Sequence, residues 1–124
     1  MFKTADMLKI FAKHRGDAIV VSGRGGKHWI NLSDTPLDIP LGDPAMGGHC
    51  GFAFGLAMAL PERRIVLFDS EGDLQMSMGV LLTVAEQKPA NFYHFMLDNE
   101  CYATTGGQPV PNATARTQSG DCRS

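Results

Sequence analysis

The sequence predicts an α/β protein in which helices cover both faces of a doubly wound parallel sheet, giving three layers. Short apolar strands alternate with helical segments along the chain, which is the order that parallel strands with right-handed crossovers require. The strands are continuously apolar, as strands covered on both faces are. Glycine-rich and polar stretches follow the strands, where ligands bind in such sheets.

The first half of the chain contains one helix and two short strands. Apolar residues recur on one helical face over residues 4–14, and Thr4 can cap the helix start. The run AIVV at 18–21 predicts a buried strand, and LDIPLG at 37–42 predicts a second short strand. Residues 27–33 favour neither a helix nor a strand.

The second half alternates helices and strands more regularly. The predicted elements are a buried helix over 46–60, a strand over 64–69, a helix over 75–86 and a strand over 91–97. We expect His94, inside the last strand, to be packed or paired. Beyond Pro109 the chain is polar and has little apolar content. We therefore divide the chain into a domain over 1–112 and a polar tail over 113–124.

The composition excludes several function classes. The 124 residues carry a formal net charge of −2, which gives no electrostatic basis for binding nucleic acid or an anionic membrane. The longest apolar run, GFAFGLAMAL, is too short to span a bilayer. The first residues lack the basic and then apolar pattern of a signal peptide. We expect a cytoplasmic protein without nucleic-acid or membrane partners.

Two polar loops follow neighbouring strands of the predicted sheet. SEGDL at 70–74 follows one strand, and LDNEC at 97–101 follows the next. The carboxyl ends of parallel strands meet at one edge of a sheet, so these loops should lie side by side. Their carboxylate, amide and main-chain oxygens suit Mg²⁺ or Ca²⁺, usually with diphosphate oxygens completing the shell. The alternative is that both are solvated turns, where acids and asparagine are common.

The loop SGRGGKH at 22–28 is a second candidate binding segment. It carries Arg24 and Lys27, which suit an anion. Its G-x-G start is also found in the phosphate-binding turn of nicotinamide-dependent Rossmann domains. The third glycine is missing, no long helix follows and no acid ends a second strand, so this alternative is the weaker one.

From 43 to 109 the chain resembles a known family of enzymes. The segments DPAMGGHC, SEGDLQMSMG, QKPANFYHFMLDN and TTGGQP occur in order and with compatible spacing. They are similar to the diphosphate-binding domain of thiamine-diphosphate-dependent 2-oxoacid decarboxylases, in particular sulfopyruvate and phosphonopyruvate decarboxylases. The resemblance extends over residues 17–109 and implies the thiamine-diphosphate-binding fold.

The resemblance implies a magnesium site. Family members carry G-D-G and, one βα unit later, N-N; the Asp, the final Asn and a main-chain carbonyl two residues on hold Mg²⁺ against the cofactor diphosphate. A gapless alignment gives Glu71, Asn99 and the Cys101 carbonyl as the metal ligands. Asp73 is the alternative to Glu71 in a shifted register. Gly72 and Asp73 would offer N–H groups to the diphosphate.

The resemblance also implies contacts with the rest of the cofactor. Met46 matches the bulky apolar residue beneath the thiazolium, and the main chain of Pro44 and Met46 would meet the aminopyrimidine. His49 is the candidate catalytic residue, although related decarboxylases have their histidine one position earlier, where this chain has Gly48. The residues that match a diphosphate contact in the first loop are Ser22, Gly23 and Arg24.

Several positions depart from the family pattern. Ser70 replaces the first glycine of G-D-G, and Glu71 is longer than the usual aspartate by a methylene. Asp73 would bring a negative side chain near a diphosphate unless it points away. Glu100 stands where these decarboxylases tend to have glycine. These departures favour an alternative in which the chain is a non-catalytic remnant or an assembly subunit that retains the fold.

The resemblance further implies a partner. Family members activate the cofactor with a glutamate from a pyrimidine-binding domain, and nothing in this sequence resembles that domain. We expect a subunit of a homo- or hetero-oligomer that works with a pyrimidine-binding partner on a small anionic 2-oxoacid, as in sulfopyruvate decarboxylase. A full diphosphate-binding domain extends well beyond GGQP, so we also expect a domain truncated at its C-terminus.

Overall fold

The structure, a computed structural model, describes residues 3–42, 46–111 and 113. Its helices are α1 Thr4–His14, α2 His49–Ala59, α3 Glu71–Gln75 and α4 Val80–Gln87. Its strands are β1 Ile19–Ser22, β2 Asp38–Pro40, β3 Ile65–Ser70, β4 Phe92–Leu97, β5 Cys101–Tyr102 and β6 Gln108–Pro109. Even α1 and α2, with 11 residues each, are too short to cross a bilayer, and no helix within the described ranges could do so.

Four strands form a parallel sheet in the order β2-β1-β3-β4. Val20 of β1 lies beside Val66 of β3, and Leu67 of β3 lies beside His94 of β4. All of β1 is buried, as is β3 except for its last residue. The continuous apolar runs predict this burial, because both faces of these strands are covered. The predicted parallel sheet is therefore confirmed.

Alternate residues of the central strands pack into two cores, one on each face of the sheet. On one face Val21 and Leu67 pack against α2, and apolar residues of α4 pack against the same cluster. On the other face Val20 and Phe68 pack against Leu8 of α1. The sheet is thus covered by helices on both sides, which confirms the three-layer arrangement.

The predicted helix over 75–86 is wrong at its start. The chain instead forms α3, then a stretch of turns, and then α4. Ser70 caps α3 because its Oγ accepts the Asp73 N–H at 3.4 Å, so the first helical residue is Glu71. Gly79 precedes α4, and its low helix propensity favours a break there. Both acids of the SEGDL segment consequently lie on one helical turn.

Strands β5 and β6 form an antiparallel hairpin that the sequence pattern does not predict. Gly106 and Gly107 between them have φ values of +122° and +76°, a region that favours glycine. The Tyr102 carbonyl accepts the Gly107 N–H at 3.0 Å and closes the turn. The hairpin holds the segment that follows β4 near the carboxyl end of the sheet, where it contributes to the pocket described below.

The segment 27–33, which the sequence leaves open, contains a 3₁₀ turn at Trp29–Asn31. Trp29 is buried in the core beside α1, and its indole N–H donates to Asp38 Oδ1 at 2.8 Å. This bond joins the turn to β2, so the segment is held by tertiary contacts more than by its own propensity.

Candidate functional site

Four loops meet in one pocket at the carboxyl ends of the strands. The residues that line it include Arg24, Lys27 and Met46, together with parts of the 70–76 and 97–105 segments. Glu71 is not among them; it lines a second cavity, which shares Asp98 with the first. The loops that line the pocket are those that the sequence predicts to converge, and their convergence is confirmed. The reason is the parallel order of the strands, which brings every carboxyl end to the same edge.

Glu71 begins α3 immediately after β3, and its side chain is only 3% exposed. Its Oε1 accepts the Cys101 N–H at 3.1 Å. Its Oε2 is buried and has no hydrogen-bond partner among the described residues. Burial raises the pKa of the Glu71 carboxyl and outweighs the backbone N–H groups of Glu71, Asn99 and Cys101, which lower it. The charged form of this carboxylate is therefore unfavourable in its present surroundings.

Asn99 lies beside Glu71 because β3 and β4 are neighbouring strands. Its Oδ1 accepts the same Cys101 N–H, at 3.2 Å. Glu100, between Asn99 and Cys101 in the chain, has a φ of +61°. This turn therefore uses a left-handed conformation that glycine adopts more readily. The three positions that the sequence proposes as metal ligands therefore lie together. A buried carboxylate that shares a backbone donor with an amide oxygen brings together the oxygen types that a divalent cation such as Mg²⁺ prefers.

Asp73 lies on the same helical turn but makes different contacts. It is 2% exposed, and its Oδ1 accepts the Gly47 N–H at 3.0 Å. Its Oδ2 accepts a hydrogen bond from His49 Nδ1, and Arg24 Nε lies 3.7 Å from Oδ1. Both carboxylate oxygens are therefore engaged by the protein. This arrangement does not favour Asp73 as the metal ligand, and it directs the negative charge towards protein donors.

A buried polar chain continues from His49 into the sheet. His49 Nδ1 lies 3.7 Å from Asp69 Oδ1, and Asp69 Oδ2 is 3.1 Å from His94 Nε2. His94 Nδ1 lies 3.7 Å from the Cys50 sulfur. Burial alone would lower the pKa of His94, but the hydrogen bonds to Asp69 and Cys50 outweigh it and raise that pKa to about 9. The expectation that His94 is paired is confirmed.

The ligand-type atoms of His49, Asp69 and Asp73 lie within 4.8 Å of one another, as in a metal site. Their charges, however, are already balanced, because Arg24 faces Asp73 and His94 faces Asp69. The Nδ1 atom of His49 is also engaged as a donor. We therefore assign this cluster as a hydrogen-bonded network that does not require a metal.

The remaining residues proposed from the sequence are distributed between the pocket and the core. Ser22 is buried, and the Gly23 N–H donates to the Phe68 carbonyl at 2.9 Å, so both continue the contact of β1 with β3. Neither is among the described residues that line the pocket. Met46 lines it and is 48% exposed. Pro44 lies outside the described residues.

His49, the candidate catalytic residue, lies beneath the pocket, and its catalytic role stays a prediction. The side chain is 1% exposed, and His49 is not among the described residues that line the pocket. Its contacts with Asp73 and Asp69 connect α2 to the end of β3. The geometry therefore supports a structural contact beneath the pocket more than a contact with a substrate.

The glycine-rich loop after β1 packs closely over the end of β3. A Cβ atom on Gly25 would lie 2.1 Å from the Asp69 carbonyl oxygen, so no other residue fits there without movement of the backbone. Gly72 is similarly confined, since a Cβ atom would lie 2.8 Å from the Tyr102 ring. Glycine is required at position 25 because the loop packs closely against the end of β3. This packing explains the glycine without a bound dinucleotide.

Sequence reasoning missed two contributors to the site. Tyr102 and Thr104 line the pocket from the β5–β6 hairpin, and Thr104 Oγ1 accepts a hydrogen bond from Arg24 Nη1 at 2.9 Å. The paired glycines at 106–107 after a short aromatic segment are the signal that could have found this hairpin.

Comparison with known proteins gives a family for this arrangement. Residues 14–123 match the model of the family described as thiamine pyrophosphate enzyme, C-terminal TPP binding domain. The sulfopyruvate decarboxylase subunit beta of Methanothermobacter thermautotrophicus is 36% identical over 95 residues, which are 74% of this chain and 50% of that protein.

Two further relatives match more of the chain. The sulfopyruvate decarboxylase subunit beta of Methanocaldococcus jannaschii is 35% identical over 112 residues, which are 86% of this chain and 57% of that protein. The phosphonopyruvate decarboxylase of Streptomyces viridochromogenes is 32% identical over 108 residues, 86% of this chain and 27% of that protein. The matches thus span about half of the sulfopyruvate decarboxylase subunits and about a quarter of the phosphonopyruvate decarboxylase.

Proposed function

The chain belongs to the thiamine pyrophosphate enzymes through their C-terminal TPP-binding domain, and from this premise we propose that it holds thiamine diphosphate and Mg²⁺ for the decarboxylation of a small anionic 2-oxoacid. The observation that carries the proposal is the Glu71 carboxylate. It is buried at the carboxyl end of β3, and one of its oxygens has no hydrogen-bond partner among the described residues. Water or a bound ion can complete the contacts of such an atom, and the shared donor with Asn99 supports an ion here.

The proposed metal ligands are Glu71, Asn99 and the carbonyl of Cys101. The first two already share the Cys101 N–H, so an ion near them would meet oxygen donors from both loops. The cation would supply a positive charge beside the buried Glu71 carboxylate. Asp73 is a poorer candidate for the metal ligand, because both of its oxygens accept hydrogen bonds from the protein.

The rest of the pocket suits the cofactor. Arg24 lines it and brings a positive charge for the diphosphate, and Gly72 lines it at the start of α3. Met46 provides an exposed apolar side chain for the thiazolium, and we keep the main chain of Pro44 as a contact for the aminopyrimidine. When bound, thiamine diphosphate supplies the electron sink for decarboxylation; the chain supplies binding and orientation.

The proposed substrate and partner come from the relatives. Two of them are named sulfopyruvate decarboxylase subunit beta and one phosphonopyruvate decarboxylase, so the substrate class is a 2-oxoacid with a second anionic group. Lys27 lines the pocket with Arg24 and suits such a group. The beta-subunit names support a partner subunit that binds the pyrimidine and completes the enzyme.

Calorimetry tests the cofactor proposal directly. We expect the chain to bind thiamine diphosphate in the presence of Mg²⁺ and much more weakly in EDTA, because the cation joins the diphosphate to Glu71 and Asn99. We expect Glu71→Gln to weaken binding at least about 100-fold, since it removes a charged ligand. Glu71→Asp, the residue that the family motif has, is the matched control and should keep most of the affinity.

Two outcomes would contradict the proposal. One is the absence of any heat with thiamine diphosphate and Mg²⁺, both for the chain alone and with a pyrimidine-binding subunit. The other is a Glu71→Gln protein that binds as tightly as the unchanged chain. Cofactor binding without decarboxylation of sulfopyruvate or phosphonopyruvate by the assembled complex would favour the non-catalytic subunit instead.

A further inference from the structure

Asp73 connects the loop that follows β3 to the turn that carries Met46. This turn, residues 46–48, precedes α2, and its central amide, the Gly47 N–H, donates to Asp73 Oδ1 at 3.0 Å. The bond is buried, so water cannot replace the carboxylate as an acceptor without opening the site. Asp73 therefore fixes the position of the turn relative to α3 at the edge of the pocket.

The far end of α3 packs against the same turn. Gly47 has a φ of +74°, and a Cβ atom there would lie 2.9 Å from both Met76 Cβ and Ser77 Oγ. The turn is thus held by the bond to Asp73 in the middle of α3 and by contact with Met76 just after its end. The main chain at Gly47 cannot move relative to α3 unless one of these contacts breaks, which restricts the position of its neighbour Met46.

The surroundings of Asp73 require a carboxylate at this position. His49 Nδ1 and the Gly47 N–H both donate to it, and Arg24 Nε lies 3.7 Å away. An asparagine could accept from Gly47, but its amide would present N–H groups to His49. The His49 proton would then move to Nε2, which is buried and has no partner among the described residues.

We propose that Asp73 is a positioning residue that holds Met46 in place for the ring of the cofactor, while Glu71, two residues away, serves the metal and the diphosphate. For its effect on the cofactor this inference rests on the proposed function. The two acids thus act on different parts of one ligand. The Asp73 side chain acts through Gly47 and is not a ligand of the metal.

The first experiment needs no cofactor. Amide hydrogen exchange of Gly47, followed by NMR, should become at least about tenfold faster in Asp73→Ala, because the buried acceptor is lost. Exchange of the β3 amides, such as that of Leu67, should change much less. Asp17→Ala removes a carboxylate that is 75% exposed, and as the matched control it should leave Gly47 exchange unchanged.

The second experiment compares two probes by calorimetry, both with Mg²⁺. Thiamine diphosphate has rings that Met46 would contact, whereas inorganic diphosphate has none. Asp73→Ala should weaken thiamine diphosphate binding about tenfold and leave diphosphate binding unchanged or tighter, since a negative charge is lost. Asp73→Asn, which keeps one acceptor for Gly47, should recover part of the affinity. Glu71→Gln should weaken both probes.

The outcomes separate this inference from the proposed function. If thiamine diphosphate does not bind to the unchanged chain, the proposed function fails, whereas the Gly47 exchange still decides whether Asp73 holds the turn. If Asp73→Ala weakens both probes equally, or leaves Gly47 exchange unchanged, the inference is overturned and the proposed function stands.

A milder variant covers a failure to fold. If Asp73→Ala is unfolded, the same titrations are made on Asp73→Asn with and without Met46→Ala, a change at an exposed position. We expect Asp73→Asn to weaken thiamine diphosphate binding about threefold alone and to have no further effect when Met46→Ala is present. Equal effects in both backgrounds would overturn the inference.

Discussion

Glu71 and Asp73 lie two residues apart on one helical turn, are equally buried, and yet have opposite surroundings. Glu71 faces the loop after β4, where one of its oxygens receives the Cys101 N–H and the other receives nothing among the described residues. Asp73 faces the turn before α2, where Gly47 and His49 both donate to it. Both are buried carboxylic acids, so neither burial nor charge type separates them. The supply of hydrogen-bond donors does, and it is the reason for proposing the metal at Glu71 and a structural role for Asp73.

The helix explains why the two acids diverge. Successive residues of an α-helix are rotated by about 100°, so side chains two positions apart point in roughly opposite directions. Ser70 caps the helix and thereby fixes where this rotation begins. A helix that began one residue later would rotate both acids away from their present partners.

The largest expected effect on the free energy of unfolding comes from removing the Asp73 carboxylate. Asp73→Ala should lower the free energy of unfolding by about 3 to 5 kcal/mol, because it leaves Arg24 with one carboxylate fewer and His49 and the Gly47 N–H buried without an acceptor. Urea denaturation in the absence of metal measures it. The control Asp17→Ala should lower it by less than about 0.5 kcal/mol. A loss for Asp73→Ala as small as that of the control would show that these buried contacts do not hold the fold together.

The second prediction concerns the pH dependence of the same network. The folded pKa of His94, about 9, lies above its ordinary value of 6.5, so its pairing with Asp69 stabilises the fold fully below pH 6.5. That contribution should be lost as the pH rises through 9, and it should be on the order of 2 kcal/mol. Urea denaturation between pH 6 and 10 measures the slope. The slope should largely disappear in His94→Gln and persist in His14→Gln, an exposed histidine.

The third prediction sharpens the Glu71 side. Without metal, Glu71→Gln should raise the free energy of unfolding by about 1 kcal/mol, because a neutral amide costs less to bury than a carboxylate oxygen without a partner. With Mg²⁺ and thiamine diphosphate the order should reverse, since only the unchanged chain gains from binding. Thermal unfolding in EDTA, and again with Mg²⁺ and thiamine diphosphate, measures the difference in stability between the two proteins under each condition. A destabilised Glu71→Gln protein in EDTA would mean that Glu71 is structural, as Asp73 is.

The smallest prediction concerns the turn between Asn99 and Cys101. Glu100→Gly should stabilise the fold by about 0.5 to 1 kcal/mol, because a φ of +61° strains a side chain that glycine lacks. Lys88→Gly, at a φ of +47° at the end of α4, is the matched control and should give a similar gain away from the pocket. Chemical denaturation of both variants measures the gains. A gain at Lys88 alone would show that Glu100 makes contacts that offset its strain.

Much of the fold could be predicted because its signals are local. The apolar runs at 64–69 and 91–97 predict strands, and β3 and β4 lie there within one residue. The expected burial on both faces holds for β3 but is wrong for β4, which lies at the end of the strand order and has no buried residue. The start of α3 could not be predicted from apolar periodicity, because its first four residues are all buried and only the Ser70 cap marks it.

The hydrogen-bonded network beneath the pocket also could not be predicted from the sequence. Asp69 and His94 are 25 residues apart in the chain and meet because β3 and β4 pair in one particular register. Nothing local in the sequence fixes that register. The prediction for His94 could therefore state that it would be paired, but it could not name its partner.

The sequence by itself determined which loops form the site, since the order of apolar strands and polar loops brings 70–74 and 97–101 to one edge of a parallel sheet. It also determined the candidates for that site, because the resemblance of SEGDL and LDNEC to a metal motif depends only on residue type and spacing. Only the tertiary structure decided how Glu71 and Asp73 divide their contacts. That division depends on where α3 starts and on which donors pack opposite each face, and both come from residues far away in the chain.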